Sequence, residues 1–548
     1  MADIMKQPCQ LIRQEQYNIG EICTRQQCLA GRGEKVALRF IPSHGERTDY
    51  TFSQLDAHSN RFANLLQQLG LGEGDVFFTF LPKAPEQFFA FLGALKLKAI
   101  VGTLFSNFGD DALLDRLGDS GAKGIILRKS ALKKIGRIRD RLPSLRFVIV
   151  ADSEVDLAPD VLSLNRLRED ASPEFVAPPT TPDTPSVLHY TSGSTGKPKG
   201  VLHRHASVLH QSRTATEVLQ LQPDDIYWCT ADQGWVTGTS YGIIAPWSLG
   251  VTQIHYGGGY DAELWFGILE KERVNVWYTA PTALRMLMRE EPEVFLKREL
   301  SCLRHIFSVG EPLNPEVSRW GREILAREIY DTWFQTETGG IMISNRPGLE
   351  GRDGSMGKPV LDVEAAILSD AGEPLPDFVQ GNLCLRPGWP SQFMTYLNNE
   401  SGYRSKFRGG YYYSGDTAYR DAEGYFHFLG RSDDVINTAG HLISPFEVES
   451  ALLEIAEVAE SGVIGAPDDL LFEKVVAFVA LHREHRPSRE LELKIRLHVT
   501  NRASSIATPQ EIVFVDAVPK NKSGKIMRRV LKARYLGTDA GDISTLED

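Results

Sequence analysis

VFFTFLPKAPEQFFAFLGALKLKAIVGTLF, residues 76–105, reads as a buried strand (VFFTFLP, 76–82), the helix after it (PEQFFAFLGALKLKA, 85–99) and a further strand (AIVGTLF, 99–105). Short apolar runs alternating with amphipathic stretches predict an α/β architecture. The same beat returns in KGIIL (123–127) and FVIVAD (147–152), and again in VNVWYTAP (274–281) and LRHIFSVGEPL (303–313). Each of the last two is a strand ending in a small-residue loop. Open α/β sheets bind ligands beyond the carboxyl ends of their strands, so these loops are where chemistry is expected.

The chain of 548 residues is too long for one ordinary domain. Its texture changes near GRSDDVINTAGHL (430–442). Beyond that point a helix (447–458), two strands (460–468 and 474–482), a second helix (491–502) and a last strand (511–518) make a compact α+β module. The expected organisation is a large N-terminal α/β domain with several sheets (1–431) and a small mobile α+β C-terminal domain (434–548). The Asp433-Asp434 pair between them is a hinge or a plain surface turn.

Hydrophobic residues at 42% and charged residues at 24% fit a soluble globular protein. Lys and Arg total 60 against 71 Asp and Glu, a net charge of −11, which argues against nucleic-acid binding. Any phosphate-bearing ligand must then meet a local concentration of donors. Six cysteines without a CxxC pair give no disulfide scaffold, and the apolar stretch 88–95 meets Lys96 long before it could span a membrane. With no apolar leader at the N-terminus, a cytoplasmic protein is expected, with no membrane and no nucleic-acid partner.

The sharpest local signal is YTSGSTGKPKG, Tyr190 to Gly200. Glycines let the backbone approach an anion, hydroxyls and amides donate to it, and lysines supply charge. Lys197 is followed by Pro198, so this is not a Walker loop, which needs Ser or Thr there. With SVGEPLNP (308–315), YDTWFQTETGG (330–340), YYSGDTAY (412–419), GRSDDVIN (430–437) and PKNKSGKIMRR (519–529), the loop resembles the signature set of the adenylate-forming superfamily. That superfamily includes acyl-CoA synthetases, luciferase and peptide-synthetase adenylation domains. ADQGWVTGTSY (231–241), DTWFQTETGG and SGKIMRRVLKA are most similar to the AMP-forming acetyl-CoA synthetases, in particular the short bacterial form.

The resemblance implies a site. Thr191, Ser192, Gly193, Ser194, Thr195 and Lys199 would cradle phosphates, and Gly310, Glu311 and Pro312 would border the adenine. Asp331, Thr332, Trp333 and Gln335 would line the nucleotide, with Trp333 packed against it, and Thr336 would meet the α-phosphate. Asp416 would hold the ribose, Arg431 the nucleotide near the hinge, and Glu337 a Mg²⁺ ion. Lys525 would be the catalytic lysine, bridging carboxylate and α-phosphate as charge builds in the transition state. No general base is needed, because a carboxylate is already ionised at neutral pH.

Val236, Thr237, Val309 and Phe334 would set acid size. Rotation about Asp433 would then bring Gly440 to the pantetheine path. Two departures stand out: Phe334 replaces the second tryptophan of a Trp-Trp pair, and Leu442 stands near where relatives carry an arginine or another polar residue.

The implied activity is that of an AMP-forming acyl-CoA synthetase, with ATP, CoA and a short acid, most of all acetate, as substrates. The alternatives are an adenylate-forming enzyme for another small acid or for a carrier-protein acceptor, and a non-catalytic adenylate- or CoA-binding protein. Relatives also imply a lysine acetyltransferase and deacetylase acting on Lys525. The histidine groups 203–205 and 482–485 lack companion ligands at useful spacing and read as structural.

Overall fold

The computed structural model describes residues 17–191, 198–438, 441–468, 470–521, 524–541, 543, 544 and 546. The opening stretch folds as Val76–Phe80, the helix Pro85–Lys96 and Ile100–Thr103, and both strands are buried at every position. They pair in parallel with each other, and Gly124–Leu127 and Phe147–Val150 extend the parallel array on one side. A parallel strand is covered on both faces, which is why its sequence is a continuous apolar run rather than an alternation.

The helix Pro85–Lys96 is buried except at Glu86 and packs on Phe52–Gln68. At their crossing, a Cβ on Gly93 would stand 2.6 Å from Phe62 Cβ, so glycine permits the contact. Lys96 is fully buried and satisfied: its Nζ donates to Asp56 Oδ1 and Asn60 Oδ1, each at 2.6 Å. A buried ammonium without such partners would be strongly destabilising.

The large domain holds three sheets. One is eight-stranded and carries the hairpin Pro185–Thr191/Lys199–Arg204 beside Ile100–Thr103. A nine-stranded sheet runs Ile329–Trp333, His305–Val309, Val276–Thr279, Ile226–Cys229, Thr252–Tyr256 and Val36–Ile41 in parallel through its middle. The third sheet is antiparallel, with Tyr411–Arg420 between Gly381–Leu385 and Phe426–Arg431.

The small domain is built on the long antiparallel pair Val458–Asp468 and Phe472–Leu481, with Glu511–Phe514 added in parallel. Its helices are Pro445–Leu453, Arg489–Arg502 and Arg528–Leu536. Three features differ from the sequence expectation. The first helix starts earlier, at Pro445, because Ser444 accepts from Glu447 N as its N-cap and proline is at home in the first turn. A short hairpin, Ile436–Thr438 with His441–Ile443, precedes it, and a third helix, Arg528–Leu536, ends the domain. The five cysteines among the described residues are free thiols, and no described helix is long and apolar enough to cross a membrane.

Candidate active site

The hairpin that carries YTSGSTGKPKG pairs Thr191 with Lys199 and Tyr190 with Gly200, so the glycine-rich segment is the turn between two antiparallel strands. A Walker loop joins a strand to a helix, which is the structural counterpart of the missing Ser/Thr. Ser192, Gly193, Ser194 and Thr195 lie outside the described residues, as does Gly440. Lys199 Nζ stands 5.6 Å from the centre of the Tyr396 ring.

The nine-stranded sheet delivers its carboxyl ends to one place. His305–Val309 ends at Gly310, whose φ of +92° lets the chain turn sharply into Glu311 and Pro312. Glu311 is bound by Arg285 Nη2 at 2.6 Å and by Thr282 Oγ1 at 2.8 Å. Ile329–Trp333 ends in Trp333, and the chain runs on through Gln335, Thr336 and Glu337.

Asp416 is the centre of the arrangement. It lies directly opposite Arg431 in the antiparallel pair Tyr411–Arg420/Phe426–Arg431, and Arg431 Nη1 donates to its Oδ1 at 3.1 Å. Its Oδ2 accepts from Trp333 Nε1 at 3.0 Å and from Gln335 Nε2 at 2.9 Å. Tyr412 donates to Gln335 Oε1 at 2.8 Å, which fixes which end of that amide faces Asp416. Burial alone would weaken the charge on Arg431, but Asp416 and Asp433 beside it raise its pKa above the ordinary arginine value. Asp433 itself is exposed in the turn after Arg431, 3.6 Å from its Nε.

Glu337 Oε1 accepts from Tyr396 at 2.7 Å, while Oε2 takes no hydrogen bond among the described residues. His203 Nε2 pairs with the Thr336 carbonyl at 2.8 Å, so this histidine braces the loop from below. Burial pushes the pKa of His203 down to about 4 and of His205 to about 3, as structural, neutral histidines require. Among the described residues no group of three or more His, Cys, Asp or Glu is placed to hold a metal.

The side chains of Asp331 and Thr332, expected to line the nucleotide, point into the protein. Asp331 accepts from Ser308 Oγ at 2.8 Å, and Thr332 donates to the Ser308 carbonyl at 2.7 Å. Both are buried, and desolvation raises the Asp331 carboxyl to about 7. They hold the strand end that presents Trp333.

Phe334 packs edge-on to Tyr241 with ring centres 5.4 Å apart, in the cluster that also contains Val309. Val236 and Thr237 open the short helix Val236–Thr239, which runs straight into the segment bearing Tyr241.

The small domain docks against this site. Thr282 Oγ1, whose proton goes to Glu311, lies 3.2 Å from the Gly524 carbonyl, and Asn314 Nδ2 donates to Ser450 Oγ at 3.0 Å. Arg289 also reaches the Ala459 carbonyl. Gly524 has φ +87°, and a Cβ there would collide with the Thr282 side chain. This contact brings Lys525 within electrostatic reach of Arg431, Asp416, Asp434 and Arg528. Part of Lys525 meets solvent, yet desolvation, and then Arg431, hold its pKa below the usual lysine value. The Leu442 backbone pairs with Asn437, and its side chain lies outside what is described.

Sequence reasoning missed Tyr396 and Thr282, which carry no motif of their own, and gave no role to Tyr412, the first residue of YYSGDTAY; all three are found only through the groups they bind.

Comparison with known proteins gives a consistent picture. Residues 24–397 match the family model of the AMP-binding enzymes, and residues 447–525 that of the AMP-binding enzyme C-terminal domain. The chain is 47% identical over 519 residues to an acetyl-coenzyme A synthetase of Bacillus subtilis, covering 94% of this chain and 90% of that protein. It is 38% identical over 553 residues to one of Pyrobaculum aerophilum, covering 94% and 81%. Among solved structures it is similar to the anthranilate CoA ligase AuaEII in complex with anthranoyl-AMP, with a TM-score of 0.87, 30% identity and coverage of 96% and 98%.

Proposed function

The chain belongs to the AMP-binding enzyme family, and from that premise we propose that it is an AMP-forming acetate–CoA ligase. An oxygen of the acetate carboxylate attacks the α-phosphorus of ATP, the bond to the β-phosphate oxygen breaks, and pyrophosphate leaves. The CoA thiol then attacks the acyl carbon of the adenylate, the acyl–oxygen bond breaks, AMP leaves, and the thiol proton passes to solvent. The observation that carries the reading is the docking of the small domain through Gly524 at Thr282, which leaves Lys525 within electrostatic reach of the Asp416–Arg431 pair of the large one.

Each role follows from chemistry at the named atoms. Asp416 accepts from the ribose: Trp333 and Gln335 take both lone pairs of Oδ2 and Arg431 one of Oδ1, which leaves one lone pair of Oδ1 for a ribose hydroxyl. Thr191, Lys199 and the loop between them hold the phosphates, and Thr336 adds a hydroxyl at the α-phosphate. Gly310, Glu311 and Pro312 border the base. Lys525 screens two anions that would otherwise repel and stabilises the charge of the transition state.

Glu337 would hold Mg²⁺ together with substrate phosphates, the ligand share magnesium prefers, and its Oε2, which takes no hydrogen bond among the described residues, fits that role. When bound, the ion neutralises phosphate charge. Acetate, rather than a longer acid, is favoured by Phe334, whose ring stands against Tyr241 and which, with Val309, Val236 and Thr237, would set the size of the acid. Lys525 serves the first half-reaction only; rotation about Asp433 then withdraws it and brings the segment of Gly440 to the pantetheine. Acetylation of Lys525 by a lysine acetyltransferase would remove its charge and stop adenylation, and a deacetylase would restore it.

The test is acetate-dependent exchange of labelled pyrophosphate into ATP without CoA, followed by AMP release when CoA is added. Release of ADP and phosphate, or no exchange, would overturn the reading. Exchange without CoA-dependent AMP release would point to a different acyl acceptor.

A further inference from the structure

We propose that Lys406 is a further phosphate-binding residue of this site, an ammonium of the large domain that meets the α-phosphate of the nucleotide and stays with it through both half-reactions. The inference rests on the nucleotide reading above and adds a residue that no motif of the sequence marks.

Lys406 lies in the turn before Phe407–Arg408, which pairs back on Tyr411–Arg420, the strand that carries Asp416. The hairpin folds the lysine over Gly415, with Nζ 3.4 Å from the Ser414 carbonyl. A Cβ at Gly415 would lie 3.5 Å from Lys406 Nζ and 3.2 Å from Arg431 Nη2, so the two cations flank the same glycine. Gly415 has φ +80°, a conformation that glycine adopts freely, and it leaves the space between them clear of a side chain.

Among the described residues Lys406 has no ion pair, and the Ser414 carbonyl is its sole hydrogen-bond acceptor. Lys474 pairs with Glu511, Lys494 with Glu457 and Lys520 with Glu460, whereas Lys83 and Lys134, like Lys406, donate to a backbone carbonyl; Lys406 differs from these two in lying beside Arg431 at Gly415. Desolvation holds the Lys406 pKa below the ordinary lysine value; Glu337 and Asp416 draw on its charge, and Arg431 and Lys199 repel it. Its charged neighbours thus come from both ends of the nucleotide, the ribose side (Asp416, Arg431) and the phosphate side (Glu337, Lys199). The part of the nucleotide that joins those ends is the α-phosphate. A half-buried ammonium left without a carboxylate, among other cations, is stabilised by an incoming anion.

Lys406 and Lys525 differ in one respect that an experiment can read. Lys406 belongs to the large domain and does not leave when the small domain turns, so its loss is felt whenever AMP or the adenylate is bound.

The test is calorimetric titration of the full-length protein, and of Lys406→Met and Lys406→Arg, with AMP and with adenosine. Lys406→Met is expected to weaken AMP about tenfold or more, the scale of a lost charged hydrogen bond, and to leave adenosine within about twofold. Lys406→Arg should recover most of the AMP affinity. Unchanged AMP binding in Lys406→Met would overturn the inference, and so would an equal loss for adenosine, which would make the residue structural. Wild-type protein that bound AMP no better than adenosine would remove the phosphate site itself, and the inference with it.

Discussion

The two domains contribute to one site in opposite ways. The large domain ties its functional groups down: Asp416 has three donors, Gln335 is turned by Tyr412, and Glu337 is held by Tyr396, each partner coming from a different stretch of chain. The small domain offers Lys525, and three polar contacts through Thr282, Asn314 and Arg289 attach its surface there. On the proposed mechanism, nucleotide binding belongs to the large domain and the timing of the chemistry to the small one.

Acid is expected to separate the domains most strongly. His189, His203, His205, His210 and His255 of the large domain are all buried, and burial pushes their pKa values down to about 3, 4, 3, 4 and 3. In the unfolded chain they protonate near the ordinary value of about 6.5, so the unfolded state binds protons first as pH falls. The stability they confer is complete above that value and is lost progressively toward pH 3 to 4. At pH 5 each costs about 2 kcal/mol. None of the described histidines of the small domain is buried. Hydrogen exchange followed by mass spectrometry should show the large domain losing protection at a higher pH than the small one; the reverse order would break the comparison.

Lys525→Ala is expected to slow adenylation by roughly 10²–10³, the scale of removing a key electrostatic donor. Attack of CoA on supplied acetyl-adenylate should survive. Equal damage to both steps, read by quenched-flow assays, would contradict a lysine that serves one orientation only.

Gly524→Val tests the docking rather than the chemistry. Its Cβ would strike Thr282, and φ +87° is strained for a β-branched residue by about 1–3 kcal/mol. Adenylation should fall by about tenfold to a hundredfold, with the thioester step and the melting temperature of the large domain little changed. A thioester step lost to the same degree would show that Gly524 matters for the fold of the small domain instead.

Phe334→Gly acts within the large domain and is expected to shift preference from acetate toward butyrate, at about 1–3 kcal/mol per methylene accommodated. Competition kinetics with the two acids check it. Unchanged discrimination would remove Phe334 from the pocket.

Much of this was legible in the sequence because apolar runs report burial. Residues 76–105 gave both strands and the helix, since a parallel strand must be apolar on both faces. The hairpin 436–443 was not legible, because strands of three residues are too short to show alternation. The helix Arg528–Leu536 was hidden in what reads as a basic run.

Of the site, Asp416 and Arg431 were visible as motif residues, but only the strand register sets them face to face. Asp331 was expected at the nucleotide and instead braces Ser308, because spacing along a strand does not say which polar side chain the core claims. Lys406 was invisible, since what distinguishes it is its place beside Arg431 at Gly415 with no carboxylate partner among the described residues.

The most direct test of the central claim uses acetate labelled with ¹⁸O in both carboxylate oxygens, with ATP, Mg²⁺ and CoA, and mass spectrometry of the products. Attack of the carboxylate on the α-phosphorus leaves one acetate oxygen on AMP and the other in acetyl-CoA. The account expects one ¹⁸O in each molecule of AMP and none in pyrophosphate. Unlabelled AMP, or label in inorganic phosphate, would contradict an acyl-adenylate formed at this site.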